Sequence, residues 1–179
     1  MIVSLIGYRA TGKSTVGRCL AQRMACDFVD SDAEIVRLAS KSIAQIFAED
    51  GESVFRDWES QVIQDLVPQA GREMVLALGG GAVLREQNRA WIQQAGPVVW
   101  LRARAETIWR RMSGDPHSAD QRPKLTNQGG LDEIVQLLAA RTPIYQATAT
   151  MEVEVDERTP AEVAAIIFQH LDGQDDPHR

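Results

Sequence analysis

The sequence predicts an α/β fold, a parallel sheet with helices on both faces. Two observations carry this. Apolar runs at residues 2–6, 28–29, 74–78, 98–101 and 151–155 alternate with segments of helical periodicity. The third and fourth runs, Met-Val-Leu-Ala-Leu and Val-Val-Trp-Leu, are continuous rather than alternating, as in strands covered on both sides.

The first run enters Gly7-Tyr8-Arg9-Ala10-Thr11-Gly12-Lys13-Ser14, a phosphate-binding G-x-x-x-x-G-K-[ST] loop. Gly7 and Gly12 allow backbone angles that side chains forbid, so successive N–H groups can turn around an anion. Lys13 supplies a point charge for β- and γ-phosphates, and the Ser14 hydroxyl can ligate Mg²⁺. Val16, Cys19, Leu20 and Met24 then recur at helical spacing, and that helix presents its positive end to the same phosphates. Ala10, Thr11 and Thr15 belong to the same loop and helix start and are assigned to the nucleotide with it. The implied ligand is a nucleoside triphosphate.

The second run ends in Asp30-Ser31-Asp32. Two carboxylates two residues apart leave a strand end on one side, one for a metal's water shell and one for an acceptor hydroxyl. An equal reading is that Asp32 caps a helix starting near Ala33. A helix follows from about residue 52 to 66, with Phe55, Trp58, Val62 and Leu66 on one stripe. It carries Arg56, with Glu59 one turn on and able to orient the guanidinium. The third run ends in Gly79-Gly80-Gly81, and glycines at the carboxyl end of a strand let a ligand rest against backbone.

A further helical pattern covers residues 131–140, with Leu131, Ile134, Val135 and Leu138 apolar, and Arg141-Thr142-Pro143-Ile144-Tyr145 stands at its end. Taken alone, Arg141 there complements a helix dipole. The last helix opens on a capping box, Thr159 and Glu162 with Pro160 between them, and buries Val163, Ile166, Ile167 and Leu171. Between residues 113 and 130 the chain is polar and punctuated by Gly and Pro, with Arg122 and Lys124 in the middle. A loop of this length in a phosphoryl-transfer enzyme suits a lid that excludes water and brings charge to the transferring group.

Composition narrows the class. A net charge of −6 and no basic stripe argue against a nucleic-acid partner. Cys19 and Cys26 read as reduced thiols of a cytoplasmic protein, no apolar stretch spans a membrane, and no leader precedes the first strand. His117, His170 and His178 show no ligand spacing. A switch GTPase is disfavoured, because no Asp is followed three residues later by Gly and no Asn-Lys-x-Asp occurs. Residues 1–172 read as one domain and 173–179 as a polar tail.

Together the phosphate loop, Asp30-x-Asp32, Phe55-Arg56, Gly79-Gly80-Gly81, Arg122-Pro123, Arg141-x-Pro143-x-Tyr145 and Arg158-x-Pro160 closely resemble shikimate kinases, of the nucleoside-monophosphate-kinase-like P-loop NTPase branch. The resemblance runs from Met1 to about Leu171. It implies a three-layer sandwich around a five-stranded parallel sheet of order 2-3-1-4-5, a substrate-binding segment near residues 31–60, and the lid. It implies a cytoplasmic monomer with one Mg²⁺ ion that passes the ATP γ-phosphoryl to the shikimate 3-hydroxyl, in aromatic amino-acid biosynthesis.

By the same resemblance Lys13, Asp32 and Arg122 are catalytic, and Ser14 and Asp30 hold the metal. Arg56 and Arg141 clamp the shikimate carboxylate beside Gly79, Gly80 and Gly81. Arg111 and Arg158 flank adenine, and Arg122 reaches the phosphates. The sequence departs at Lys124, where the family often has an apolar residue. A gluconate kinase of the same branch is the alternative reading.

Overall fold

The computed structural model describes residues 1–67, 73–114 and 130–173. The sheet has five parallel strands in the order β2-β3-β1-β4-β5, as the resemblance implies. They are β1 (Ile2–Ile6), β2 (Asp27–Asp30), β3 (Met74–Ala77), β4 (Val98–Arg102) and β5 (Met151–Glu154). Each lies within two residues of its expected bounds. β1 and β3 are buried along their whole length, which is why neither alternates in polarity.

Alternate side chains of each strand feed two cores. Val3, Leu5, Val75, Val99, Leu101 and Val153 meet α1 (Lys13–Met24) and α8 (Pro160–Asp172). On the opposite face Ile2, Ile6, Leu76, Val98 and Trp100 meet α4 (Gly51–Leu66), α5 (Glu86–Ala95) and α7 (Leu131–Thr148). A smaller cluster of Ile35, Ile43, Ile46, Phe55 and Val62 closes residues 31–66 on itself, joining α2 (Ser31–Ala39) and α3 (Ile43–Gln45) to α4. Between α3 and α4 the backbone widens into a π-helical turn over Ile46–Asp50, ended by Gly51 at φ 87°.

Helix boundaries correct three expectations. α2 starts at Ser31, and its cap is Asp30, whose Oδ1 accepts the Asp32 N–H at 3.0 Å. Asp32 is therefore not the cap, and the two carboxylates do not leave the strand side by side. α7 runs through Pro143 to Thr148, so Arg141 sits inside it rather than at its C-terminus. A proline inside a helix loses one hydrogen bond and crowds the preceding turn. Buried Tyr145 and Thr148 hold the helix past that point. On the same helix Val135 is exposed, whereas Glu133 is buried.

The helices α5 and α6 (Ala105–Gly114) follow from no pattern singled out in the sequence. α8 opens on the expected box, with Thr159 N–H bonded to Glu162 Oε2 at 2.7 Å. Cys19 and Cys26 are free thiols. No helix among the described residues is long and apolar enough to cross a membrane. Most of the expected lid, with Arg122 and Lys124, and the tail beyond Gly173 lie outside the described residues, as do His117 and His178.

Candidate active site

The phosphate loop joins β1 to α1. Gly7, at φ 141°, brings its backbone against the Leu101 carbonyl, where an added Cβ would lie only 2.5 Å from that oxygen. Ala10 adopts the left-handed region at φ 61°, a strained choice for a residue with a Cβ. Lys13 Nζ donates to the Gly7 and Tyr8 carbonyls at 2.9 and 2.8 Å, holding the ammonium over the loop. Buried Thr11 bonds to the Tyr8 carbonyl at 2.9 Å through its hydroxyl, and Thr15 is exposed on the first turn of α1. α1 begins without a side-chain cap, so its N-terminal N–H groups face the loop.

Ser14 Oγ donates to Asp30 Oδ2 at 2.6 Å, across from the first turn of α1 to the end of β2. A hydroxyl and a carboxylate, both hard oxygen donors, meet here beside the phosphate loop. That donor set fits Mg²⁺, which takes one or two protein oxygens and fills its shell with water and phosphate. Asp32 lies on the other side of the cap, with its Oδ1 toward Gly79.

The three glycines have separate neighbours. A Cβ on Gly79 would lie 2.8 Å from Asp32 Oδ1 and 2.6 Å from Glu59 Oε1. One on Gly80 would press on the phosphate-loop backbone, 3.1 Å from Arg9 N. One on Gly81 would strike the Arg56 guanidinium at 2.3 Å. The strand end therefore touches both carboxylates, the loop and an arginine without an intervening side chain.

Arg56 Nη1 meets Glu59 Oε2 at 2.5 Å, and its Nη2 meets Glu52 Oε1 at 2.9 Å. Burial works against the Arg56 charge, but Glu59 and Glu52 keep its pKa above the ordinary value. Glu59 itself is 1% exposed. Burial pushes its carboxyl above the usual carboxylate range, against the pull of the Arg56 and Arg141 guanidiniums.

Arg141, on α7, is buried and donates from Nη1 to the Gly80 carbonyl at 3.3 Å, with its guanidinium 5.6 Å from the centre of the Tyr8 ring. Tyr145, one turn further on, donates its hydroxyl to the same carbonyl at 2.6 Å and stacks on Trp100. Burial pushes the Tyr145 phenol up to about 12, so it stays a neutral donor across the physiological range.

On the other flank Arg111 donates to the Ala10 carbonyl at 3.3 Å and the Val155 carbonyl at 3.1 Å, tying the phosphate loop to the end of β5. Arg158 is exposed and bonds to the Glu154 carbonyl at 2.7 Å. A cavity of about 270 Å³ opens at the ends of β4 and β5 and has Tyr8, Thr11, Trp100, Arg104, Thr142 and Asp156 in its wall.

The structure thus brings Asp32, Arg56, Gly79, Gly80, Gly81 and Arg141 together beside Gly7, Gly12, Lys13 and Ser14. Ser31, Tyr8 and the hydroxyl of Tyr145 also belong to this constellation, although the sequence alone assigns none of them a role. Ser31 Oγ accepts the Gly79 N–H at 3.0 Å and is fully buried, and its place between two aspartates was the available signal.

The model of the shikimate kinase family matches residues 9–172. A shikimate kinase of Rhodopirellula baltica is 40% identical over 165 residues, 92% of this chain and 87% of that protein. A shikimate kinase from Acinetobacter baumannii, solved in complex with shikimate, superposes with a TM-score of 0.90 at 33% identity, over 97% of this chain and 94% of that one. A gluconokinase from Sinorhizobium meliloti reaches a TM-score of 0.58 at 16% identity over 97% of this chain and 96% of its own, which is likeness of fold.

Proposed function

The chain belongs to the shikimate kinase family, and from that premise we propose that it passes the γ-phosphoryl group of MgATP to the shikimate 3-hydroxyl. The observation that carries this reading is the meeting of Asp32, Arg56 and Arg141 on Gly79–Gly81, next to the phosphate loop. Two guanidiniums at Gly80 and Gly81 suit a carboxylate, and one aspartate at Gly79 suits a hydroxyl of the same small ring.

In this reading Arg56 and Arg141 bind the carboxylate. Glu59 and Glu52 fix the Arg56 fork from behind. Asp32 accepts the hydrogen of the attacking hydroxyl, orients its oxygen at the γ-phosphorus and takes up its proton. The new bond forms between that oxygen and phosphorus, the bond to the β–γ bridging oxygen breaks, and ADP leaves with the electron pair. Lys13 and the loop N–H groups hold the β- and γ-phosphates. Ser14 and Asp30 would hold one Mg²⁺ ion, which supplies charge neutralisation at the phosphate oxygens when bound. Arg111 and Arg158 would border the base. Residues 31–60 form the acceptor-binding segment, and Arg122 contributes by resemblance.

An ADP-release assay with shikimate and, separately, gluconate tests the reading. Turnover with shikimate and little with gluconate is expected. Turnover with gluconate and none with shikimate would overturn it.

A further inference from the structure

The acceptors of the glycine strand end are all occupied by the protein. Gly79 O accepts from the Ala82 N–H and Gly81 O from the Leu84 N–H, each at 3.0 Å. Gly80 O receives two donors from α7, Tyr145 Oη at 2.6 Å and Arg141 Nη1 at 3.3 Å. The donors are unevenly placed. Gly79 N–H is bound by Ser31, while neither the Gly80 nor the Gly81 N–H meets an acceptor among the described residues. Both glycines are buried, so an acceptor brought to these N–H groups would gain more than one in bulk water.

A glycine peptide in a turn flips easily because no Cβ resists it. In a trans peptide the carbonyl of one residue and the N–H of the next point oppositely. Fixing the Gly80 carbonyl toward α7 therefore sends the Gly81 N–H away from α7, on the residue whose α-carbon faces the Arg56 guanidinium. Tyr145 is suited to the task. It is fully buried, its ring is braced by Trp100 at 5.6 Å, and it lies four residues after Arg141 on one helix face.

We infer that Tyr145 is a positioning residue for substrate binding: its hydroxyl locks the Gly80–Gly81 peptide so that the Gly81 N–H, directed away from α7, supports Arg56 in holding the carboxylate of the acceptor. This rests on the proposed shikimate kinase reading. Tyr145 acts through the peptide and does not itself touch the substrate.

The test compares Tyr145→Phe with Thr148→Val in the full chain. Thr148 is equally buried on α7, but its hydroxyl bonds to Ile144 O at 2.6 Å and has no contact with the glycines. Tyr145→Phe should raise the shikimate KM by about three- to tenfold, the effect of one neutral hydrogen bond, and change the ATP KM less than about twofold. Thr148→Val should lower the melting temperature and leave both KM values unchanged. Equal behaviour of the two variants, or a parallel loss of ATP and shikimate affinity in Tyr145→Phe, would overturn the inference. Amide NMR on the unaltered protein gives a second readout that needs no variant. The Gly81 N–H should shift and gain exchange protection on adding shikimate, and a Gly81 amide indifferent to bound shikimate would also overturn it. Failure of the kinase reading looks different, since the unaltered protein would then neither bind nor turn over shikimate.

Discussion

Ser14 Oγ and Asp30 Oδ2 lie 2.6 Å apart, and the other oxygen of Asp30 caps α2. Both Asp30 oxygens are thus engaged, one by the first turn of α1 and one by that of α2. Asp32, two residues on, is carried by the first turn of α2 to face Gly79. A single helix cap separates the two carboxylates.

That separation predicts opposite phenotypes. Asp32→Asn keeps the size but loses the charge that orients the hydroxyl, so kcat should fall by on the order of 10²-fold with ATP affinity nearly unchanged. Asp30→Asn should instead raise the Mg²⁺ concentration needed for half-maximal rate. Rate measurements across a Mg²⁺ titration separate them, and a reversal of the two patterns would mean the aspartates exchange roles.

Arg56→Ala and Arg141→Ala should each weaken shikimate binding and spare ATP. Removing one partner of a buried charge pair costs about 2–5 kcal/mol, part of it from the charge left behind. In Arg56→Ala the loss of Glu59's partner, a carboxylate 1% exposed, falls on stability as well. Calorimetry with each ligand checks this; unchanged shikimate affinity in both variants would remove the arginines from the site.

Alanine at Gly79 and at Gly81 should damage different steps. At Gly79 the new methyl displaces Asp32 and Glu59, and a misplacement near 1 Å is enough to cost about 10²-fold in kcat. At Gly81 it displaces the Arg56 guanidinium and should act on shikimate KM. In both, the atoms struck are the ends of side chains that can swing aside, so melting temperatures should fall little.

Ala10→Gly should stabilise the protein. Its φ of 61° costs a residue with a Cβ about 1–2 kcal/mol, and glycine returns part of that gain as unfolded-chain entropy. A net rise of about 2 °C in melting temperature is expected. A fall would show that the left-handed turn is held without strain.

Asp156 carries an acid-range prediction. Burial tends to raise its pKa, but the Thr107 hydroxyl, the Arg104 N–H and the Arg104 and Arg111 charges together bring it below the ordinary Asp value. A group depressed on folding contributes stability above its unfolded pKa and loses it as pH falls through the folded one. Melting temperatures of the unaltered protein and Asp156→Asn should therefore diverge above about pH 4 and converge in stronger acid. A constant offset would assign the effect to packing.

Much of this site could be read from the sequence because its chemistry depends on residue types at short spacing. The phosphate loop, the Asp30-x-Asp32 pair and the glycine triplet each sit within a single turn or strand end. What escaped depends on packing. Pro143 reads as a helix end, yet buried Tyr145 and Thr148 outweigh its penalty of about 3 kcal/mol and carry Arg141 into mid-helix. Val135, expected on the apolar face, is exposed because periodicity marks a face and not what covers it. Tyr8 is a variable position of its motif, and only the fold brings Arg141 over its ring.

The place of β1 has a consequence during synthesis. It is the central strand, but both its neighbours, β3 and β4, come later in the chain, so it cannot be paired on both edges until residue 102 has left the ribosome. At roughly 5–20 residues per second, and with a ribosome exit tunnel still to clear, the apolar Ile2–Ile6 segment waits several seconds with open edges. A nascent chain in that condition is a natural client for holding chaperones, and slowing growth by cooling should favour recovery of folded enzyme.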